Sequence, residues 1–184
     1  MTRFLFVMTL AGAAVAFGAD APQPSMGKVL DDQIHSAERE IVGLAEAMPA
    51  DKYSFRPTAG EFKNVRTFSQ QMTHIASILY GISAAALGEK NPSEIGKDEN
   101  GPASITDKTA AVKYLKDAFA YAHKAASAVT SADAMDMMQS PFGSRKTPRI
   151  DLVTTLMFHS FDHYGQAVVY ARMNGIVPPA SRGQ

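Results

Sequence analysis

Four runs of apolar residues step alternately by three and four along this chain, and that spacing dictates helices. The first reads Leu30, Ile34, Ala37, Ile41, Leu44 and Met48, and Pro49 ends it. Residues so spaced fall on one face of a 3.6-residue helix. The second reads Phe68, Met72, Ile75, Leu79, Ile82 and Ala86. Thr67 and Gln70 before it fit a capping box, and Gly88 suits its C-terminus. The third reads Val112, Leu115, Phe119, Ala122, Ala126 and Val129, with Thr106 as its cap and Asp107 in its first turn. The fourth is capped by Thr147, with Pro148 at its first position, and runs to about Asn174 before Gly175 and Pro178-Pro179. Residues 49–66, 89–105 and 131–146 read as loops, and no strand is expected. Four amphipathic helices make an all-α four-helix bundle, and the long connections leave its order open.

The fourth stripe departs from the others. It reads Leu152, Leu156, His159, His163, Gln166 and Tyr170, with polar groups where a core wants Leu or Ile. Two histidines four apart share a face, about 6 Å apart along the axis, and can converge on one ion. Burying such polarity without partners is costly, and a metal ion is an economical partner. His74 is the candidate third ligand, at the edge of the second helix's apolar face beside Ile78, Gly81 and Ala85, whose small side chains leave room for a pocket. His35 and His123 lie off their stripes and read as solvated surface residues.

Composition narrows the class of function. The 184 residues are 46% hydrophobic and 20% charged, which suits one globular domain. Lys plus Arg equal Asp plus Glu at 18 each, so no basic surplus points to nucleic acid. Arg3, the apolar run Phe4 to Phe17 and the small residues after it read as a signal peptide spanning residues 1–18, with cleavage after Ala16 as the alternative. The run is too short to span a bilayer. The expected product is a domain over residues 19–184, exported to the periplasm or secreted, with no stable membrane anchor after cleavage. It has no cysteine, hence no disulfide and no thiol nucleophile.

The segment MPADKYSFRPTAGEFKNVRTFSQQMTHIA and the later HSFDHYGQAVVYARMNGIVPP resemble the DinB family of metal-dependent proteins. Tyr53, Phe55 and Pro57 match its Tyr-x-Phe-x-Pro loop. His74, Ile75 and Ala76 match its His-Ile-Ala. His159, His163, Gly165 and Gln166 match its closing helix, and Gly175, Pro178 and Pro179 match the Gly and Pro-Pro that follow. The resemblance implies a bundle with one long crossover connection. It also implies one divalent metal ion (Zn, Ni or Fe) held by His74, His159 and His163. The family includes transferases and isomerases that use low-molecular-weight thiols.

Three neutral imidazoles would leave the ion its full charge and at least one open position, where water or a thiol could be activated. Gln166 and Asp162 are the nearest polar groups in sequence, Gln166 as an acceptor behind the ligands and Asp162 as a general base. The expected function is therefore a metal-dependent hydrolase or thiol transferase acting on a small molecule. The alternative is a non-catalytic metal- or small-ligand-binding bundle of the cell envelope. On the fourth helix's other face, Met157, Phe161, Tyr164 and Val168 also recur at helical spacing, which fits either a central helix or a homodimer. Met135, Met137, Met138 and Phe142 are expected to cap the open end of the bundle or to form an adaptable binding surface.

Overall fold

The computed structural model describes residues 23–183. The expected signal peptide at 1–18 lies outside the described residues. The four helices are α1 (Met26–Ala47), α2 (Phe68–Leu87), α3 (Lys108–Ser127) and α4 (Arg149–Met173). Their stripes form the core: Ile34, Ile41, Leu44, Phe68, Met72, Leu79, Leu115, Phe119 and Leu156 are all essentially inaccessible. Caps fix the ends. The Ser25 hydroxyl accepts from the Lys28 N–H at the start of α1. Thr67 and Gln70 form the expected reciprocal box, and Gly88 closes α2 in the left-handed conformation at φ 69°.

Two expected starts are corrected. The cap of α3 is Asp107, whose carboxylate accepts from the Ala110 N–H at 2.8 Å, one residue beyond Thr106. Thr147 does not cap α4. It lies in a short antiparallel hairpin, β1 (Met137–Gln139) with β2 (Lys146–Pro148), inside the segment expected to be a loop. The first N–H groups of α4 are met instead by backbone: Arg149 donates to the Asp136 carbonyl and Ile150 to the Ala134 carbonyl, both at 2.9 Å. A carbonyl does what the hydroxyl was expected to do. In this segment Ala134 is buried in the core and Met138 packs against it, while Met135, Met137 and Phe142 are exposed.

The helices surround the core in the spatial order α1, α3, α2, α4, so α1 lies diagonal to α2 and α3 diagonal to α4. The N-termini of α2 and α3 meet at Tyr53. Its carbonyl accepts from the Ser69 N–H at 2.8 Å, and the Lys108 ammonium lies 5.9 Å from its ring centroid. Their C-termini meet at Glu89, which accepts from the Tyr121 hydroxyl and the Lys124 ammonium. Neighbouring helices α2 and α3 therefore run parallel, and residues 88–107 must travel back along the bundle, about 30 Å for helices of this length. This is the single long crossover that the family resemblance implies.

The small residues of α2 serve this crossover. Ile95 lies against Gly81, and the Ser77 hydroxyl donates to the Ile95 carbonyl at 3.1 Å. The space expected beside Ile78, Gly81 and Ala85 is thus largely filled by chain. What remains is a cleft of ≈ 450 Å³ between crossover and hairpin, lined by Gly81, Ala85, Ile95 and Met138. On α4, Met157, Tyr164 and Val168 pack against the core, so the helix is buried on two sides within one chain. Phe161 stays exposed.

Among the helical glycines, Gly27 is the most closely approached: an added Cβ would sit 2.5 Å from the Ser127 carbonyl oxygen. Gly27→Ala should therefore lower stability by about 1–3 kcal/mol, since backbone must move. Urea unfolding of the variant checks this, and an unchanged midpoint would mean that α1 and α3 are not so close.

Candidate metal centre

Helices α2 and α4 run antiparallel, with Tyr170 near the end of α4 donating to the Arg66 carbonyl just before α2. That pairing sets His74, early in α2, opposite His159 and His163 in the middle of α4. One ligand atom from each of the three lies within 4.8 Å of the others. Ring centroids are 5.1 Å apart for His74–His159, 4.5 Å for His74–His163 and 4.6 Å for His159–His163. His74 and His163 are buried and His159 is half-buried.

Hydrogen bonds select the tautomers. His74 Nδ1 donates to the Glu99 carbonyl at 2.9 Å, and His163 Nδ1 donates to Gln71 Oε1 at 2.7 Å. Each leaves Nε2 with a free lone pair. Behind His163 runs a relay: the Gln71 amide donates to Gln166 Oε1 at 3.0 Å, and the Gln166 amide donates to the Asp162 carboxylate at 3.0 Å. The acceptor for His163 is thus Gln71, and Gln166 stands one link behind it. Gln71 is 1% exposed, three residues before His74 on α2. A buried glutamine one turn from a histidine was a readable signal, missed because Gln71 falls outside the α2 stripe. Gln166 is not in the core as its stripe position suggested; it is exposed and lines a cleft. Asp162 is exposed and anchors the relay.

The crossover delivers the carbonyl to His74 at some cost. Asp98 and Glu99 have φ of 54° and 60°, a region that residues with a Cβ avoid. The same turn holds Arg66: its Nη2 donates to the Asp98 carbonyl and its Nε to Asn100 Oδ1, both at 2.9 Å. Behind His163, and connected to it through Gln71, lies a polar cleft of ≈ 480 Å³ whose wall includes Arg56, Arg66, Gln71, Asn100 and Gln166 but none of the three histidines. The loop of Tyr53, Phe55 and Pro57 contributes Arg56 to the cleft wall, and its aromatic residues hold the loop to the bundle. Tyr53 donates to the Ala45 carbonyl at 2.6 Å, and the Phe55 ring meets Tyr170 edge-on.

Burial lowers the pKa of all three histidines, taking His159 to about 3 and His163 to about 4. Next to burial, the neighbouring imidazoles repel further charge on His159 and His163, and Arg66 adds to this at all three. The rings are therefore neutral at pH 7, the state a metal ligand requires.

The pH dependence follows from the sign of these shifts. The unfolded chain takes up protons on these residues near pH 6.5, and the folded chain does so only well below that. The metal-free protein should lose stability as pH falls from about 6.5 toward 4, the folded-state value of His163. Thermal unfolding of chelator-treated protein across that range measures it. His159→Leu should flatten the curve, and an equally steep curve would contradict the assignment.

The model of the DinB superfamily matches residues 33–167, which include all three histidines. The fold is similar to the crystal structure of a DinB-like protein from Bacillus cereus ATCC 10987, with a TM-score of 0.65 and 20% sequence identity over 82% of this chain and 93% of that one. No curated protein matches this chain. The match over most of the chain, with the helical bundle around it, shows that this protein belongs to the DinB superfamily.

Proposed function

We propose that the protein is an exported metal-dependent enzyme, a hydrolase or thiol transferase, acting on a small molecule at His74, His159 and His163. The observation that carries this reading is the pair of fixed tautomers. His74 and His163 each donate Nδ1–H to an oxygen, which is the arrangement that orients a metal-ligating imidazole. Zn, Ni or Fe would suit three imidazole ligands. Such an ion keeps its full double charge and can lower the pKa of bound water toward about 7 or bind a thiol as thiolate.

The adjoining cleft suggests the kind of small molecule. Arg56 and Arg66 lie on its wall with amides of Gln70, Gln71 and Gln166. Two guanidinium groups on one cleft wall, with Arg66 near enough to act on all three histidines, favour a substrate with a carboxylate or similar anion. Asp162, exposed at the end of the relay, is the candidate general base and would have to meet the substrate's proton directly or through one water, because the amides of Gln166 and Gln71 hold hydrogen bonds but pass no proton. The second reading is a binding protein of the cell envelope that uses the same ion and cleft without turnover.

Untagged protein purified without chelator should carry metal. Zinc or nickel at a thousandfold excess over its Kd should add about 4 kcal/mol of stability, or roughly 8–16 °C in Tm. His163→Ala should remove the share of that gain that the buried histidines supply. Gln71→Leu should keep the site but weaken metal affinity about 10–100-fold. A screen for ester, amide and thiol-transfer activity then separates enzyme from binding protein. Stabilisation by metal that is identical in wild type, His74→Ala and His163→Ala would exclude both readings.

A second copy of the chain would pack on α4. Phe158, Phe161, Val169 and Met173 leave an exposed apolar stripe there, and Gly165 among them has open space beside its Cα. A homodimer on this face should sediment as such at micromolar concentration, and Phe158→Glu should shift it to monomer. A wild-type monomer under those conditions would refute the dimer.

A further inference from the structure

The two histidines that look isolated in sequence meet in the fold. His35 on α1 and His123 on α3 have ring centroids 4.3 Å apart, edge to face. Glu38, one turn beyond His35, presents Oε2 at 3.6 Å from His35 Nδ1 and 3.2 Å from His123 Nε2. On the far side of His123, Nδ1 lies 2.6 Å from Asp31 Oδ1. Antiparallel packing of α1 and α3 builds this cluster from residues 92 apart in the chain, as for Asp31 and His123. It stands on the α1–α3 side of the bundle, away from the α2–α4 interface that holds the three buried histidines.

We propose that His35, Glu38 and His123 form a second cation site, for a divalent ion of the zinc, copper or nickel type. The donor set is right for such ions: two imidazole nitrogens and one carboxylate oxygen. Spacing is the second support. In a tetrahedral site with bonds of about 2.0–2.1 Å, donor atoms stand about 3.4 Å apart. The distances of Glu38 Oε2 to the two histidines, 3.2 and 3.6 Å, bracket that value. One ligand atom from each of the three lies within 4.8 Å of the others, so only His35 has to close in. Its side chain is 64% exposed and free to do so.

Asp31 is the third support. Asp31 accepts Nδ1–H of His123, and Glu38 Oε2 accepts Nε2–H at 3.2 Å; an ion that replaced the Nε2 proton would find the ring already oriented by Asp31, the carboxylate–histidine–metal arrangement. Asp31 is thus a positioning residue. Two carboxylates around two neutral imidazoles also balance a doubly charged ion. Asp31, Glu38 and His123 alone make an ion-pair cluster; His35, 3.6 Å from the same Glu38 oxygen, would be the third ligand of a cation site. The open side faces a cleft of ≈ 460 Å³, on whose wall stand His35, Glu38, Arg39, Glu46 and Lys116.

Titration of untagged, chelator-stripped protein with zinc chloride, read by calorimetry and by the histidine ring signals in NMR spectra, tests this. Wild type should take up two equivalents, and His35→Ala and His123→Ala should each lose one while His163→Ala loses the other. Asp31→Asn should keep the second equivalent at about 10–100-fold weaker affinity. His35 is exposed, so its variant should keep the wild-type circular dichroism spectrum and secures the test if His123→Ala misfolds. A single equivalent that survives His163→Ala but not His35→Ala would support this site and refute the buried one. Titrations unchanged in His35→Ala, Glu38→Gln and His123→Ala would overturn the second site and leave an ion-pair cluster.

Discussion

The desolvation of three imidazoles beside one guanidinium is the constraint around which the rest of the bundle is arranged. Buried polar groups are tolerated only when each finds a partner. His74 and His163 find theirs from opposite directions, a carbonyl of the crossover for one and a glutamine of α2 for the other. Arg66 deepens the constraint, since its charge disfavours protonation of all three rings. The outcome is a pocket that rejects protons but retains free nitrogen lone pairs. A metal ion would resolve that combination, because a cation with empty orbitals can use lone pairs that are costly to protonate.

The topology supplies what the helices cannot. In an up-down-up-down bundle a short turn would join α2 to α3, and no chain would lie over His74. Here α2 and α3 are parallel, so the connection passes along α2 and presents its carbonyls to the site. The strained pair Asp98 and Glu99 sits where those carbonyls are used: one holds Arg66 and the next holds His74. Left-handed conformations in residues with a Cβ cost about 1–2 kcal/mol each, and they persist where surrounding contacts over-determine them. One turn of chain thereby sets both the orientation of a ligand and the position of the positive charge beside it.

The sequence carried the helices because each helix states its own buried face through local spacing. It carried His159 and His163 for the same reason: they stand in a stripe where a core wants Leu. It did not carry pairings between elements. Gln71 meets His163 across 92 residues of chain, and nothing in the spacing of α2 says that α4 lies against that flank. The hairpin was hidden because its strands are three residues each, too short to show alternation. Thr147 was misread for a related reason. A hydroxyl before a proline is a good helix cap locally, but carbonyls from residues 134 and 136 already occupied the N–H groups it would have met.

His35 and His123 show the same limit from the side of function. Each is off its own stripe, and solvent exposure is the sound local reading. Only the antiparallel pairing of α1 with α3 converts two surface positions into one cluster. The chemistry of the two clusters then differs through charge. An ion on three neutral imidazoles would keep its double charge and polarise what it binds. An ion taking Glu38, with Asp31 behind His123, would be largely neutralised by its own ligands. Lewis-acid activation would therefore belong on the α2–α4 side, near Arg66, and a cation on the α1–α3 side would serve to tie two helices together.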